Sequence, residues 1–195
     1  SSVEIDALNK KLVGPAKEEN MDDWIDERRK LFGKYEGIPP TSEELADLAK
    51  LRNIHSGKRC FVIGNGPSLN KMDLGLLKDE YTFAANRFYL KIPDLDWVPS
   101  FYTCLDWRVT PDDSEGIEDF FQNYPKVIKF IPNRFKGLFK HLENSYWYFS
   151  LPGGPILRQK FQINATKGLY GGGTVATAMI QLAAFMGFRD IYLIG

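Results

Sequence analysis

The chain is poor in cysteine and histidine and has no surplus of either charge. Its 195 residues include 2 Cys and 2 His, and 25 Lys and Arg balance 25 Asp and Glu. Two cysteines cannot build the framework of a disulfide-rich secreted domain. A balanced charge is not typical of proteins that grip nucleic-acid phosphates, and no apolar run is long enough to span a bilayer. We therefore expect no nucleic-acid partner and no transmembrane segment.

Both cysteines, Cys60 and Cys104, lie in apolar, strand-like runs. Free cysteine is among the most buried residue types, so we expect two buried thiols in a reducing compartment rather than a disulfide or a metal pair. The sequence begins without the pattern of a secretory signal peptide. These features indicate a cytoplasmic protein.

Hydrophobic residues make up 44% of the chain, enough for one sizeable core with an additional segment. Residues 1–57 are interpreted as an N-terminal helical arm. Apolar residues recur at helical spacing over 21–32, and a capping box at 41–44 begins another helix. The arm could pack on the core, join a preceding domain or form a homo-oligomer contact, and the sequence leaves these alternatives open.

From residue 58 to residue 195, strand-like runs alternate with helical patterns. The predicted strands are Cys60–Ile63, Tyr81–Ala85, Phe101–Leu105, Val127–Ile131, Tyr146–Leu151 and Ile191–Ile194. The predicted helices are Leu69–Leu77, Ile117–Phe121, Phe135–Leu142 and Thr174–Met186. This alternation predicts an α/β, Rossmann-like domain with a mostly parallel sheet flanked by helices on both faces. Because the chain stops at Gly195, where such a domain normally places a functional loop, we expect a domain truncated at its C-terminus.

The first predicted strand breaks abruptly into a turn that opens a predicted helix. The turn is Gly64-Asn65-Gly66-Pro67-Ser68. Its glycines let backbone approach a ligand without a Cβ, and proline suits the first helical position. Free N–H groups and the positive helix end favour an anion. The Asn65 amide suits a ribose or base edge and the Ser68 hydroxyl a phosphate oxygen, so the turn predicts a nucleotide site.

This turn departs from the common nucleotide fingerprints. Leu69 stands where the dinucleotide motif G-x-G-x-x-G has its third glycine. The P-loop pattern G-x-x-x-x-G-K-[ST] does not fit either. An ordinary strand-to-helix turn is therefore the alternative interpretation.

A second glycine-rich turn, Gly171-Gly172-Gly173-Thr174, precedes the last predicted helix. Residues 175–186 are too small and apolar for a surface helix, so we expect this helix to begin inside the protein. Thr174 can cap the helix and contact a ligand, and the helix N-terminus suits an anion. In a doubly wound sheet both turns lie at the carboxyl ends of strands, where ligands bind. A flexible loop ahead of a core helix is the alternative.

Polar residues also follow the second and third predicted strands. Asn86 stands where dinucleotide folds place an acid for the ribose, and an amide there suits a ribose or a pyrimidine edge. The alternative for Asn86 is a simple turn residue. Arg87 would neutralise a phosphate or carboxylate, unless it is a surface charge. Thr103 and Asp106 close the third predicted strand, and we expect them at the same end of the sheet.

The run Asp94-Leu95-Asp96 mimics the D-x-D signature of metal-dependent glycosyltransferases. It precedes a predicted strand rather than following one, however, and solvated turn acids are the usual case for such a position. We assign no metal ligand from it.

With these residues in place, the chain resembles the bacterial sialyltransferase-like families and the related MptE-like Rossmann proteins. The latter include archaeal 6-hydroxymethylpterin diphosphokinase and flagellin-modifying Maf proteins. The matching stretches run over 61–69, 85–89, 101–103 and 172–195. The resemblance spans the chain from about residue 58 to the end and leaves the arm outside.

The resemblance to sialyltransferases implies a site for a CMP-sugar. The implied contacts are Gly64, Asn65, Gly66, Ser68, Asn86, Thr103 and Thr174. Thr103 departs from the Asn of the sialyltransferases, and Asp106 looks more like the MptE-like branch. The sialyltransferase base is a His beyond the last strand present here, and neither His55 nor His141 occupies that place, so no catalytic residue is named.

Three functions remain open at this point. A transferase would use a CMP-linked or other nucleotide-activated sugar and a carbohydrate acceptor. A 6-hydroxymethylpterin diphosphokinase would use ATP and Mg²⁺ with Asp106 as the candidate ligand, and only this alternative implies a cofactor. A non-catalytic nucleotide-binding fragment is the third.

Overall fold

The computed structural model of the chain describes residues 26, 30, 37–107, 109–139, 142–151, 160–171 and 173–195. Gly172 and His141 lie outside the described residues, as does most of the predicted helix over 21–32. The division of the chain at residue 57 stays a prediction, and so does an oligomer contact through the arm.

Eight strands and three α-helices form the described part of the chain. The strands are β1 (Arg59–Ile63), β2 (Thr82–Ala85), β3 (Phe101–Thr103), β4 (Ile128–Pro132), β5 (Ser145–Tyr148), β6 (Ser150–Leu151), β7 (Leu169–Tyr170) and β8 (Asp190–Ile194). The helices are α1 (Ser42–Ala49), α2 (Ser114–Asn123) and α3 (Val175–Phe185). Short 3₁₀ helices span Pro67–Lys71, Leu74–Leu77, Asn86–Asp94, Asn133–Phe135 and Ala165–Lys167.

Six of the strands form one parallel sheet in the order β5-β4-β3-β2-β1-β8, and β6 and β7 pair separately. The chain steps outward from β1 to β5 and then returns to place β8 on the other side of β1. The strand order therefore reverses between β1 and β8, which is where doubly wound sheets open a crevice for ligands. The predicted α/β, mostly parallel fold is confirmed.

The central strands carry buried residues on both faces of the sheet, since successive residues of a strand point to opposite faces and helices pack on each face, whereas Tyr192 and Leu193 of the edge strand β8 are exposed. On one face Ile63, Ala84 and Tyr102 pack with Phe120 and Phe121 of α2. On the other face the core consists of residues from β1 to β5 together with α1 and α3, among them Cys60, Val62, Phe83, Phe101, Phe130, Tyr148, Leu48, Met179 and Leu182. Alternation of apolar side chains thus supplies two separate cores from the same short strands.

The described end of the arm packs on the α3 face of the sheet. Leu48 of α1 is fully buried there, and the Thr41 capping box that begins α1 is present as predicted. After α1 the backbone is bonded to the end of α3: Asn53 N–H donates to the Phe185 carbonyl at 3.1 Å, and His55 N–H donates to that of Met186 at 2.9 Å. Residues 41–55 therefore complete a core rather than stand apart from it.

Two predicted helices do not form as α-helices. The segment after β1 contains two 3₁₀ helices, Pro67–Lys71 and Leu74–Leu77, instead of one helix over Leu69–Leu77. Asp73 breaks the segment by accepting a 3.0 Å bond from Gly75 N–H at the start of the second turn. Where the helix Phe135–Leu142 was predicted, the described residues between β4 and β5 contain a single 3₁₀ turn, Asn133–Phe135. Proline, Asn, Asp and Gly are poor helix formers, which explains the interruption after β1.

Cys60 and Cys104 are buried free thiols, as predicted, and burial raises the pKa of each to about 12. Among the helices of the described ranges, none has both the length and the apolar character needed to cross a membrane.

Gln181 joins α3 to the small β6–β7 sheet. Its side chain is fully buried, and its Oε1 accepts bonds from Gln162 N–H at 2.9 Å and Tyr170 N–H at 3.3 Å. Its Nε2 donates to the Tyr170 carbonyl at 2.7 Å and the Thr177 carbonyl at 3.0 Å. A buried amide with four partners fixes the chain leading into the second glycine-rich turn.

His55 packs at the amino end of the sheet, before β1 begins. Its ring stacks on Phe188 at 4.8 Å between centroids and lies 4.4 Å from Tyr81 and 5.5 Å from Phe101. Burial among these rings opposes charging and, with the nearby Lys58, lowers the pKa of His55 below its ordinary value.

We expect Gln181→Met to lower the free energy of unfolding by about 1–3 kcal/mol, because four backbone groups of half-buried residues lose their bonds to a fully buried amide. Urea denaturation measures the change. Gln122→Met on the exposed surface of α2 is the matched control and should change stability by less than about 0.5 kcal/mol. Equal effects of the two substitutions would contradict the assigned role.

Acidification should destabilise the fold through His55. Since its pKa is lower in the folded chain than in the unfolded chain, the unfolded chain binds more protons as pH falls below about 6.5. Stability is therefore retained above that pH and lost below it. In denaturation at pH 7.5 and 5.5, wild type should lose more stability than His55→Phe, which keeps the ring packing without the titration. Identical losses of stability in wild type and His55→Phe would contradict the assignment of this pH dependence to His55.

Candidate functional site

The turn after β1 lies at the reversal point of the sheet, against the end of β8. Gly64 N–H donates to the Ile194 carbonyl at 2.7 Å. A Cβ on Gly66 would come within 3.2 Å of the Gly195 carbonyl carbon, and only a residue without one fits comfortably there. The turn predicted from its glycines is thus packed backbone to backbone at the carboxyl end of the sheet.

Asn65 ties this turn to the end of the next strand. Its side chain is exposed, and its Nδ2 donates to the Ala85 carbonyl at 2.8 Å. Ala85 is the last residue of β2, directly before Asn86. The two asparagines predicted separately are therefore brought to neighbouring strand ends.

Asn86 takes a left-handed backbone conformation, with φ of +53°. Its Oδ1 accepts a long bond of 3.4 Å from Leu105 N–H, which links the end of β2 to the loop after β3. Its carbonyl accepts a 2.5 Å bond from the Tyr102 hydroxyl. Asparagine tolerates this conformation better than most residues, so Asn86 does act as a turn residue, which was the alternative interpretation. It also lies at the end of β2, where the nucleotide site was predicted.

Arg134, which the sequence analysis missed, extends the same set of links to β4. Its Nη2 donates to the Leu105 carbonyl at 2.5 Å, and its guanidinium lies over the rings of Trp107 and Phe135 at 5.5 and 5.0 Å. Arg134 lies two residues after β4. The criterion that identified Asn86 and Arg87, a polar residue directly after a strand, would therefore also have identified Arg134. Side chains thus join the ends of β1, β2, β3 and β4 in sequence.

Arg87 has a buried partner that the sequence did not indicate. Its Nε and Nη2 lie 2.5 and 3.4 Å from the two carboxylate oxygens of Asp113, whose side chain is only 2% exposed. This hydrogen-bonded pair raises the pKa of Arg87. Because Asp113 immediately precedes α2, the pair fastens the chain after β2 to the start of that helix. Arg87 is neither a simple surface charge nor an isolated cation.

Pro67 and Ser68 are exposed at the start of the 3₁₀ helix that follows the turn. The expectation of an α-helix dipole at this point is wrong, because a five-residue 3₁₀ helix aligns too few peptide units to act as one. An anion at this turn would be held by backbone N–H groups and the Ser68 hydroxyl.

The second glycine-rich turn leads to a full α-helix. Thr174 is the N-cap of α3 and its hydroxyl accepts a 3.4 Å bond from Ala176 N–H, as predicted. Eleven residues of α3 rise about 16 Å, similar to a five-residue strand of about 17 Å. Since α3 ends at the amino end of the sheet, its N-terminus lies at the carboxyl end, the same end as the first turn.

The start of α3 is not inside the protein, contrary to expectation. Gly173 and Thr174 are exposed, whereas residues from Ala178 onward are mostly buried. The apolar composition of α3 is explained by its middle and end, which pack on β1 and β2.

Thr103 and Asp106 occupy different environments. Thr103 is 1% exposed, and its Oγ1 lies 3.5 Å from the Tyr148 hydroxyl inside the α3-side core. Asp106 is half-buried in the loop after β3, where its carbonyl accepts bonds from Val109 and Thr110 N–H. The structure therefore brings Asp106, but not the Thr103 hydroxyl, to the surface at this end of the sheet.

The D-x-D mimic lies away from this end. Asp96 pairs with Lys78, and an Asp94 carboxylate oxygen is 3.9 Å from Lys91 Nζ, in the segment that precedes β3. Within the described ranges, no three His, Cys, Asp or Glu side chains are grouped closely enough to hold a metal ion. His55 lies at the opposite, amino end of the sheet.

The chain is similar in structure to a MAf glycosyltransferase from Magnetospirillum magneticum AMB-1, at 16% sequence identity and a TM-score of 0.46 over 78% of this chain. It spans 27% of the length of that protein. No curated protein matches the chain.

The family model for MptE-like 6-hydroxymethylpterin diphosphokinases matches residues 39–195. This range contains strands β1 to β8 and helices α1 to α3, and the resemblance to MptE-like proteins noted from the sequence is confirmed. The match begins within the arm, which the sequence resemblance had left outside. Because the match covers most of its length, the chain belongs to the MptE-like family.

Proposed function

We propose that the carboxyl end of the sheet binds a nucleoside phosphate and that the domain serves a transferase. The observation that carries the proposal is the bond from the Asn65 side chain to the Ala85 carbonyl, which brings Asn65 from the turn after β1 to the end of β2, directly before Asn86. Amides there can both donate to and accept from a ribose or a base.

In this proposal the phosphate groups lie against the first turn. Gly64 and Gly66 allow close approach of the backbone, and the Ser68 hydroxyl is exposed for a phosphate oxygen. Gly173 and Thr174 before α3 supply N–H groups, and α3 supplies the positive end of a helix dipole, from the other turn. Gly172, predicted for the same role, lies outside the described residues and stays a prediction. Arg87 fixes the chain after β2 through its bond to Asp113, and Pro67 begins the 3₁₀ helix that follows the first turn.

The transferred group is proposed to be a sugar carried by a CMP-linked or other nucleotide donor, passed to a carbohydrate acceptor. The sequence of the first turn and of the segment at Asn86, which resembles the CMP-binding motifs of sialyltransferase-like proteins, supports this choice. The chain would hold and orient the donor, with the two turns stabilising charge on the departing phosphate.

The second candidate is a 6-hydroxymethylpterin diphosphokinase, which the family match favours. This reaction needs ATP with Mg²⁺, and Asp106 in the loop after β3 is the candidate ligand. The two candidates share the nucleotide site and differ in the nucleotide and in the need for metal.

A thermal-shift series with CMP, CDP, UDP, GDP and ATP, each with and without Mg²⁺, separates the candidates. A ligand at a hundredfold excess over its Kd stabilises the fold by about 2.7 kcal/mol. We expect the largest shift with CMP and no need for metal. A preference for ATP that requires Mg²⁺ would favour the diphosphokinase, and the lack of a shift with every nucleotide would contradict nucleotide binding.

Asn65→Ala and Asn86→Gly should each weaken binding of the best nucleotide about threefold to tenfold, since each removes a hydrogen-bonding amide. Glycine at position 86 keeps the left-handed conformation without strain. Calorimetry measures Kd. Asn123→Ala, exposed at the end of α2, is the matched control and should leave Kd unchanged. Unaltered affinity in both site variants would overturn the proposed contacts.

A further inference from the structure

We infer that Tyr102 is a positioning residue for the nucleotide site, acting by holding Asn86 in its left-handed conformation. The inference rests on the proposed function, in which Asn86 contacts the nucleotide. Tyr102 is the middle residue of β3, is 1% exposed and cannot itself touch a ligand.

The Tyr102 hydroxyl makes two bonds whose directions are fixed by their chemistry. Tyr89 N–H can only donate, so the hydroxyl oxygen accepts from it at 3.0 Å. The Asn86 carbonyl can only accept, so the hydroxyl proton goes to it at 2.5 Å. One hydroxyl thereby fixes the first turn of the 3₁₀ helix Asn86–Asp94 at two points.

The ring that carries this hydroxyl is itself immobilised. Phe120 and Phe121 of α2 lie 4.9 and 5.5 Å from the Tyr102 ring, between centroids. Burial raises the pKa of Tyr102 well above its usual range, so the hydroxyl keeps its proton at any working pH. The core on the α2 face therefore determines where the Asn86 backbone sits.

The competing restraints on Asn86 are weaker. Its side chain accepts only the 3.4 Å bond from Leu105 N–H, which is long for an N–H···O bond. Asparagine adopts the left-handed conformation more readily than most residues but less readily than glycine, so a bond that holds its backbone stabilises this conformation. The Tyr102 hydroxyl holds the Asn86 backbone carbonyl at the much shorter distance of 2.5 Å, so the backbone from which the amide projects depends chiefly on Tyr102.

Tyr102→Phe removes the hydroxyl and keeps the ring. We expect it to raise the Kd for CMP about threefold to tenfold by calorimetry in the wild-type background. In the Asn86→Gly background, which has no amide to position, the same substitution should change Kd by less than about twofold. An equal loss of CMP affinity in both backgrounds, or no loss of affinity in the wild-type background, would overturn the inference. A tyrosine with a merely structural role would change the Kd by the same factor in both backgrounds.

Tyr148→Phe is the matched chemical control, since Tyr148 is also fully buried and its hydroxyl lies 3.5 Å from Thr103 Oγ1 in the core on the other face of the sheet. It should leave Kd unchanged. Phe120→Leu, which keeps the hydroxyl but loosens the ring, gives a second test should Tyr102→Phe fail to fold. It should raise Kd in wild type and not in Asn86→Gly, and equal effects in the two would contradict the inference.

A measurement without nucleotide separates this inference from the proposed function. Amide hydrogen exchange of Leu105, whose N–H is bonded to the Asn86 side chain, should become at least about threefold faster in Tyr102→Phe and not in Tyr148→Phe. Faster exchange with no binding of any nucleotide would refute the proposed function and keep the positioning of Asn86. Unchanged exchange together with unchanged Kd would refute the positioning alone.

Discussion

The site depends on a series of side-chain to backbone hydrogen bonds across the carboxyl end of the sheet. Asn65 bonds to Ala85, Leu105 to Asn86, and Arg134 to Leu105, so the ends of four parallel strands are joined in order. Each such bond contributes only about 0.5–1.5 kcal/mol of stability. Their importance is geometric, since the loops they join have little regular structure to hold them.

This arrangement follows from how the sheet is buried. Helices pack on both faces of the central strands, so within the sheet the polar groups of these strands are open at the strand ends. The strand order reverses between β1 and β8, and the glycine turn after β1 fits against the backbone at the end of β8 because Gly66 has no Cβ. A Cβ there would lie only 3.2 Å from the carbonyl carbon of Gly195. The polar groups of the site are thus supplied by loops, while the cores beneath fix where those loops begin.

Much of the site could be anticipated because the signals were local. The turn at 64–68, the Asn after β2 and the Thr174 cap are each set by neighbours in sequence, and the structure places them where strands and helices begin or end. The missed features are long-range. Asp113, the partner of Arg87, is 26 residues away, and Leu105, the partner of Arg134, is 29 residues away. Gln181 looks like any polar residue of an apolar helix until its four partners are known.

The sequence by itself determined the α/β class, the glycine turns and the caps, because periodicity and turn chemistry act over a few residues. The predicted helix after β1 is wrong, because residues with low helix propensity there form two 3₁₀ turns instead. The spacing of apolar residues does not reveal this low propensity. Only the tertiary structure decided that Thr103 is buried beside Tyr148, that α3 begins at the surface and that Tyr102 holds Asn86. Those outcomes depend on which distant side chains meet across the sheet, and packing, not local propensity, selects them.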